Sequence, residues 1–476
     1  MKQLLFLLLT AWTATAYVRA AGVIGKLPPH PPNIIFILAD DLGYGEIGCY
    51  GQKRIKTPNI DKLAAEGIRF TQCYAGTTVC APSRSALMTG QHTGHTRIRG
   101  NNAYPLQPQD VTIAEVLKQA GYRTGLVGKW GLGLENTTGT PIKQGFDDFV
   151  GFLSQTHAHQ YYPTNIWRED RVNFRELDVF WPLDANTNNQ RRAYVHDQFT
   201  RSATNFIRVN KNYSFFLYLA YTIPHANNEL GRASGNGMEV PGDAPYSKED
   251  WPQPEKNKAA MITRMDRDIG GLLMVLKAHK LETNTIIFFT SDNGPHDEGG
   301  AKAAFFDSSG PLRGIKRDLY EGGIRVPMIV RWSGTIKPGQ VSDFPWAFWD
   351  FLPTAAEIAG AKDKVPPNID GQSVLPTLLG QPQKPHEFFY WEFHEKGSKQ
   401  AVRMGDWKAV RLAIEKPLEL YDLKTDVGET KNVAAAHADV VARIESYLKT
   451  ARTDSPRWPL KSPGDKPEPA RPDDVN

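Results

Sequence analysis

Two long apolar segments, far apart in the chain, constrain its fold more than any other feature of the sequence. Residues 33–39 read NIIFILA and residues 285–290 read TIIFFT, and both are rich in β-branched and aromatic side chains. Continuous runs of this kind, without polar alternation, are typical of strands that are buried on both faces of a parallel sheet. We therefore expect an α/β domain built around a central, mostly parallel sheet.

Acidic and amide residues follow both apolar segments. Asp40 and Asp41 come directly after the first, and Asp292 and Asn293 come just after the second. Because ligand sites of open α/β sheets lie beyond the carboxyl ends of the strands, we expect these side chains to meet at one edge of the sheet. Their oxygens suit a hard cation, calcium in the first place and magnesium in the second. Acidic residues after strands also cap helices and form turns, so neither pair would be informative alone.

Strands and helices alternate over residues 33–374, which we interpret as one large domain. Thr57 and Pro58 are typical of a helix start, and Asp110 is predicted to cap a second helix that stops at Gly121. Further strands are expected at 124–127, 215–220 and 326–330, and the longest helix at about 255–279. The alternation predicts a large mixed, mostly parallel sheet sandwiched between helices.

The sequence changes character at about Leu375. Residues 375–454 are predicted to form a smaller C-terminal α+β subdomain, with a short antiparallel sheet and a closing helix. Its strands are expected at 388–393, 401–404, 407–410 and 418–421, and its helix at 439–450. Residues 455–476 are rich in Pro, Lys and Asp and are predicted to be a disordered tail.

The first twenty residues have the features of a signal peptide. Lys2 precedes an apolar run from Leu4 to Leu9, and Ala14-Thr15-Ala16 offers a cleavage site. The apolar run is too short to span a bilayer, and no other stretch reaches the required length. We expect an exported protein without an integral membrane segment, in the periplasm, outside the cell or in a lysosomal-type compartment. A net charge of +4 without a basic tract argues against a nucleic-acid partner.

The three cysteines are an odd number, which is unusual for an exported chain. Cys80 begins the segment C-A-P-S-R and lacks the CxxC spacing of a redox or zinc site. A buried or nucleophilic cysteine can precede such a turn in unrelated proteins, so the segment needs context. Cys49 and Cys73 could form one disulfide or remain buried free thiols, and we favour the thiols.

The segment from Cys80 to Arg84, followed by Thr89 and Gly90, resembles the signature of type I sulfatases, which belong to the alkaline phosphatase superfamily. The resemblance implies that a formylglycine-generating enzyme converts Cys80 to formylglycine (3-oxoalanine), whose hydrate is the nucleophile. It also implies that this group lies at the cation held by Asp40, Asp41, Asp292 and Asn293, in an alkaline-phosphatase-like fold.

Further motifs match the family in the same order along the chain. Lys129, in the segment G-K-W, and Lys316, in the segment L-R-G-I-K, match lysines that bind sulfate oxygens. His225, after Ile223-Pro224, matches the general acid that protonates the leaving oxygen. The segments 404–408 and 420–423 resemble the C-terminal subdomain of the family, so the resemblance runs from about residue 33 to about residue 450.

The chemistry explains why these residue types are needed. A sulfate ester is an anion, so Arg84, Lys129, Lys316 and the cation would stabilise the charge that shifts in the transition state. His225 would donate a proton to the departing alcohol. A serine nucleophile would remain as a stable sulfate ester, whereas the second hydroxyl of a hydrate can collapse to the aldehyde and expel sulfate.

One position departs from the family pattern. Residues 128–133 read G-K-W-G-L-G, where the family commonly has G-K-W-H-L-G, so Gly131 cannot supply the imidazole that usually contacts the hydrate. We predict that Gln155 and His159 contact the substrate and that His159 partly replaces this imidazole. Aromatic residues could stack on sugars or pack structurally, namely Tyr161, Tyr162 and Trp346.

The sequence therefore predicts an arylsulfatase-like sulfuric ester hydrolase that releases sulfate from a sulfated carbohydrate or an aryl sulfate. A phosphonate monoester or phosphodiester hydrolase of the same superfamily is the alternative, because such relatives share the C-x-P-x-R nucleophile and the metal fold. A catalytically inactive glycan-binding protein is the third hypothesis.

Overall fold

A computed structural model of the chain describes residues 31–101, 104–170 and 175–464. The predicted signal peptide, residues 1–20, and the end of the predicted tail, residues 465–476, lie outside these ranges. Within the described ranges, no helix combines the length and the apolar character that a membrane span requires.

A large sheet forms the centre of the main domain, and its core strands are parallel in the order β8-β1-β7-β3-β4. At one side β9 runs antiparallel to both β8 and β2, and at the other side β5 and β6 form an antiparallel edge. The strands are β1 (Asn33–Ala39), β2 (Ile68–Tyr74), β3 (Arg123–Lys129), β4 (Asp148–Phe152), β5 (Asn165–Asp170), β6 (Arg175–Pro182), β7 (Phe215–Ala220), β8 (Thr285–Ser291), β9 (Arg325–Trp332), β10 (Gln340–Ser342) and β11 (Trp346–Ala347).

Helices cover both faces of this sheet. The helices are α1 (Pro58–Ala65), α2 (Cys80–Thr89), α3 (Ile113–Gln119), α4 (Val195–Asn210), α5 (Asn228–Ser234), α6 (Gln253–Ala278), α7 (Glu321–Ile324), α8 (Phe351–Ile358), α9 (Leu375–Leu378) and α10 (Ala438–Leu448). Alternate residues of β1 point to opposite faces, so Phe36 packs with α2, α3 and α8 while Ile35 packs with α1, α4 and α6. The predicted fold class is confirmed.

The predicted helices form, but one cap is wrong. Thr112, not Asp110, caps α3, because its hydroxyl accepts from the backbone N–H of Glu115 while the Glu115 carboxylate accepts from the N–H of Thr112. This reciprocal pair satisfies two free donors at the helix start. The carboxylate of Asp110 instead accepts from the backbone N–H of Gln107 and pairs with Arg97.

The C-terminal subdomain contains the expected antiparallel sheet of four strands, β12 (Phe389–Phe393), β13 (Lys399–Met404), β14 (Trp407–Arg411) and β15 (Glu419–Asp422). Helix α10 covers one face of this sheet with Ile444 and Leu448. The other face packs on the main domain, where the rings of Trp391 and Trp349 lie 5.7 Å apart.

The prediction that disorder begins at Ser455 is wrong for residues 455–464. Trp458 is buried against Tyr104, and its indole N–H donates to the carbonyl of Arg97 at 2.9 Å. Burial of this aromatic ring outweighs the polar composition of the segment. Cys49 and Cys73 are free thiols, as favoured from the sequence, although Cys49 is only partly buried.

Candidate active site

The two acidic segments meet at the carboxyl ends of β1 and β8, because these strands are parallel neighbours. Asp40 and Asp41 follow β1, and the backbone N–H of Asp41 donates to Asp292 Oδ1 at 3.1 Å. The return bond joins the N–H of Asp292 to the carbonyl of Ala39 at 3.1 Å. All three carboxylates are fully buried.

Helix α2 begins with Cys80 at this edge of the sheet, and every residue of the helix is buried. The Sγ atom of Cys80 lies 3.3 Å from Asp40 Oδ1. Ser83 fixes the helix start, because its hydroxyl donates to the carbonyl of Asp292 at 2.6 Å and accepts from the N–H of Gly76 at 3.0 Å. Cys80 is thereby held beside the carboxylates.

Three buried cations face the three carboxylates. Arg84, one turn along α2, places Nη2 at 2.8 Å from Asp292 Oδ2. Lys129, the last residue of β3, places Nζ at 2.7 Å from Asp40 Oδ2. Lys316 places Nζ at 2.7 Å from Asp41 Oδ2. The formal charges therefore balance around the Cys80 sulfur.

His225 lies at the same edge, after β7. Its Nδ1 is 2.7 Å from the carbonyl of Ala226, so Nδ1 donates there and Nε2 is left to accept from Lys316 Nζ at 3.2 Å. Burial and the charge of Lys316 lower the pKa of His225 to about 3. The imidazole is neutral at physiological pH.

The local charges and burial shift the pKa values of the ionisable groups in different directions. Burial opposes the ionisation of Asp40, but Lys129, His225 and Arg84 outweigh it and hold the pKa of Asp40 well below its usual value. Burial and repulsion by Asp40 raise the pKa of Asp292 to about 7. Burial and the carboxylates of Asp292 and Asp40 also raise the pKa of the Cys80 thiol well above its usual value. An unmodified thiol here is protonated and a poor nucleophile.

The donor set fits a hard cation. Asn293 donates from Nδ2 to Asp41 Oδ1 at 2.7 Å, while its Oδ1 is buried and has no hydrogen-bond partner among the described residues. The ligand atoms of Asp40, Asp41, Cys80 and His225 lie within 4.8 Å of one another. Clustered carboxylates, together with an unmatched amide oxygen, are the groups that calcium or magnesium binds.

Comparison with known proteins agrees with this geometry. The sulfatase family model matches residues 32–361, and a second family model, N-sulphoglucosamine sulphohydrolase, C-terminal, matches residues 314–454. The chain belongs to the sulfatase family. It is a sulfuric ester hydrolase, as the sequence predicts.

Several similar proteins are characterised sulfatases. An N-acetylgalactosamine-6-O-sulfatase of Bacteroides thetaiotaomicron is 30% identical over 503 residues, which cover 89% of this chain and 93% of the relative. The steryl-sulfatase of Rattus norvegicus is 32% identical over 440 residues, covering 76% and 73%. The crystal structure of Ps i-CgsB in complex with k-i-k-neocarrahexaose has a TM-score of 0.75 at 30% identity, covering 91% and 95%.

The segment after β4 contacts the candidate active site of this sulfatase. The ring of His159 stacks on that of His225, with centroids 4.8 Å apart, and its Nδ1 lies 3.0 Å from Glu229 Oε2. Burial, and then the charge of Lys129, lower the pKa of His159. The Gln155 amide lies over Gly131, where an added Cβ would come within 1.9 Å of Gln155 Nε2.

Two of the aromatic residues considered for sugar stacking are fully buried, so that role is wrong for them. Tyr161 contacts the carbonyls of Thr222 and His225 through its hydroxyl and supports the backbone of the site. Trp346 packs edge-on against Phe70 in the core. Tyr162 is half-buried beneath the guanidinium of Arg191.

Sequence reasoning missed three charged residues that lie between the buried site and solvent. Glu298 contacts Lys316 Nζ at 3.2 Å and Arg317 Nη1 at 2.6 Å, and Glu395 of the C-terminal subdomain contacts Arg317 Nε at 2.8 Å. Glu298 shares the loop that follows Asp292, and Arg317 adjoins Lys316, so proximity along the chain could have indicated both. Nothing in the sequence places the β12–β13 hairpin, which carries Glu395, at this site.

Proposed function

We propose that this sulfatase removes sulfate from a sulfated carbohydrate with a nucleophile derived from Cys80. The observation that carries the proposal is the environment of the Cys80 sulfur, at the start of a buried helix and surrounded by Arg84, Lys129 and Lys316. Such a site suits an anionic ester and does not suit a thiol nucleophile.

Conversion of Cys80 to formylglycine by a formylglycine-generating enzyme would supply an aldehyde hydrate that attacks sulfur and later releases sulfate. Around it, Lys129 and Lys316 would turn their ammonium groups to the sulfate oxygens. Arg84 is already tied to Asp292 and the carbonyl of Lys129, so it would hold these two elements together. The ammonium of Lys316, which donates to Nε2 of the neutral His225, would supply the proton, and His225 would pass it to the departing oxygen.

A divalent cation would be held by Asp40, Asp41, Asp292, Asn293 and the group at position 80. Calcium is our first choice and magnesium the second, because the oxygens come from flexible carboxylates and an amide and need no octahedral geometry. Bound there, the cation would add positive charge near the nucleophile and the sulfate group.

The polar surroundings of the site favour a carbohydrate over an apolar alcohol. Several charged residues next to the buried site are partly exposed, and they include Glu229, Glu298, Arg317 and Glu395. Such groups can replace their present contacts with hydrogen bonds to the hydroxyls of a sugar. Gln155 and His159 would contact the substrate from the other side. The carbohydrate sulfatases among the similar proteins support the same choice.

The N-terminal signal sequence supports export to the periplasm, the cell exterior or a lysosomal-type compartment. An exported enzyme meets sulfated polysaccharides outside the cell, which agrees with the proposed substrate. Cleavage near residue 20 would be visible as the N-terminus of the mature protein.

Turnover of matched esters tests the proposal. The matured enzyme should release sulfate from sulfated mono- or oligosaccharides faster than from an aryl or steryl sulfate, and it should hydrolyse phosphodiesters and phosphonate monoesters poorly. Cys80→Ala should abolish turnover with an unchanged Tm, whereas Cys49→Ala, which removes a free thiol elsewhere, should retain it. Faster hydrolysis of a phosphodiester, or an active Cys80→Ala enzyme, would contradict the proposal.

A further inference from the structure

We infer that the side-chain amide of Gln155, which fills the space that Gly131 leaves near Lys129, binds the sulfate group of the substrate. The inference deepens the proposed function and rests on it. It assigns to an amide the role that the sequence had suggested for His159.

The side-chain amide of Gln155 occupies the space beside the Cα atom of Gly131. A Cβ atom at position 131 would lie 1.9 Å from Gln155 Nε2 and 2.9 Å from Gln155 Cδ, so the amide fills the volume that any side chain at 131 would need. The backbone fixes this arrangement, because the N–H of Trp130 donates to Phe152 and the N–H of Gly131 donates to Leu153. Gly131 also has a φ of +80°, where other residues are strained.

The Gln155 amide has an unmet donor. Its Nε2 is buried, yet within the described part of the chain it has no hydrogen-bond partner. Buried polar groups are normally paired, and leaving one unpaired is unfavourable. A side chain kept only for packing would not need this donor, whereas a donor for a sulfate oxygen has to be free before the substrate arrives.

The position of Gln155 directs the amide to the active site. Residues 154–158 form a helical turn, closed by the bond from the N–H of Ala158 to the carbonyl of Ser154. The 3-10 turn His157–His159 continues this segment. His159 of the same segment stacks on His225, and Gly131, which the Gln155 amide contacts, lies two residues beyond Lys129, so Gln155 belongs to a segment that borders the proposed site.

His159 is less suited to this role. Its Nδ1 lies 3.0 Å from Glu229, and one face of its ring is covered by His225. A histidine engaged in both ways can position His225, but it has little freedom to follow a sulfate oxygen. Gln155 Nε2 has no hydrogen-bond partner among the described residues.

Substitutions at Gln155 test the inference, with inorganic sulfate as the probe. Gln155→Ala should lower kcat/KM for the sulfate ester about tenfold or more and raise the inhibition constant of inorganic sulfate by a similar factor, as expected for one hydrogen bond to an anion. Gln155→Glu, which keeps the size but replaces the donor with a carboxylate, should lower kcat/KM further and raise the inhibition constant of inorganic sulfate further. Gln160→Ala, at an exposed position of the same segment, should match the wild type.

A double-mutant cycle adds an independent measurement. Gly131→Ala should displace the amide and lower kcat/KM about as much as Gln155→Ala, and the two losses should not add. Near-wild-type kcat/KM and sulfate inhibition in folded Gln155→Ala or Gln155→Glu, or additive losses in the cycle, would overturn the inference. The proposed function fails separately, if the wild type releases no sulfate from any ester.

Discussion

The candidate active site and the junction between the two domains both contain buried clusters of opposite charges. The clusters differ in whether all their buried polar atoms have hydrogen-bond partners. The junction cluster consists of Tyr74, Glu321, Arg325, Arg403, Lys408 and Glu429. Lys408 Nζ lies 3.0 Å from Glu321 and 3.3 Å from Glu429, and the backbone N–H of Glu321 donates to Glu429 at 2.7 Å. Within the described residues, no polar side-chain atom of this cluster lacks a partner.

The active site leaves polar atoms unpaired. Asn293 Oδ1 and Gln155 Nε2 are buried without a partner among the described residues. Burial and charge alone therefore do not distinguish a catalytic site from a structural junction. These two clusters differ in their unmatched donors and acceptors, which a binding site can keep for its ligand, whereas a structural cluster is most stable when every group is satisfied.

The largest expected effect is a loss of stability caused by a substitution at the junction. Lys408→Met would leave Glu321 and Glu429 without their shared cation, and removing one partner of a buried ion pair lowers the free energy of unfolding by about 3–5 kcal/mol. Denaturant unfolding would measure this loss. The folded fraction should keep a normal kcat, and a large loss of kcat with unchanged stability would break the comparison.

The matched change in the active site is Lys129→Met. Loss of one positive group that faces the transition state should lower kcat about 10²- to 10³-fold. Steady-state kinetics with a sulfated sugar would measure it, with Lys118→Met, a lysine on the outer end of α3, as the control. A kcat within a few-fold of the wild type would show that Lys129 serves structure, as Lys408 does.

Metal removal should affect the active site and spare the junction. A chelator should abolish activity, and calcium should restore it better than magnesium. Calcium at about 100 times its dissociation constant should stabilise the folded protein by about 2.7 kcal/mol. Thermal unfolding should show this stabilisation by calcium in Glu429→Gln. The stabilisation should be absent in Asp292→Asn. Activity that survives complete chelation would contradict the proposed cation.

The smallest effect is expected at the edge of the site. His159→Ala removes the ring that stacks on His225 and should lower kcat/KM about fivefold, the equivalent of about 1 kcal/mol. Glu229→Gln leaves the His159 ring in place and only weakens its contact with residue 229. It should therefore lower kcat/KM less than His159→Ala. A fall of about 10²-fold in kcat, the size expected for a positioned acid or base, would instead assign His159 the role predicted from the sequence.

Much of this architecture could be predicted because buried strands have a strong sequence signal. The apolar residues of β1 and β8 identify the core of the sheet, and the polar residues after them identify its catalytic edge. Thr112 was missed because Asp110 is an equally good cap by type, and only the reciprocal bond with Glu115 decides between them. Glu395 was missed because packing between domains, which sequence spacing does not encode, brings it to Arg317.

The pairing of Gly131 with Gln155 shows a similar limit. The sequence reveals the missing side chain at position 131, but the residue that fills the space comes from the next strand connection and is recognised only by contact. The choice between Gln155 and His159 depends on hydrogen bonds that the sequence does not contain.

Peptide mass spectrometry of the active enzyme tests the central claim, that Cys80 acts after conversion and not as a thiol. The account predicts that the peptide containing Cys80 is lighter than its thiol form by the mass difference between cysteine and formylglycine, and that activity rises in proportion to the converted fraction. Full activity in protein whose Cys80 is entirely an unmodified thiol would contradict the account.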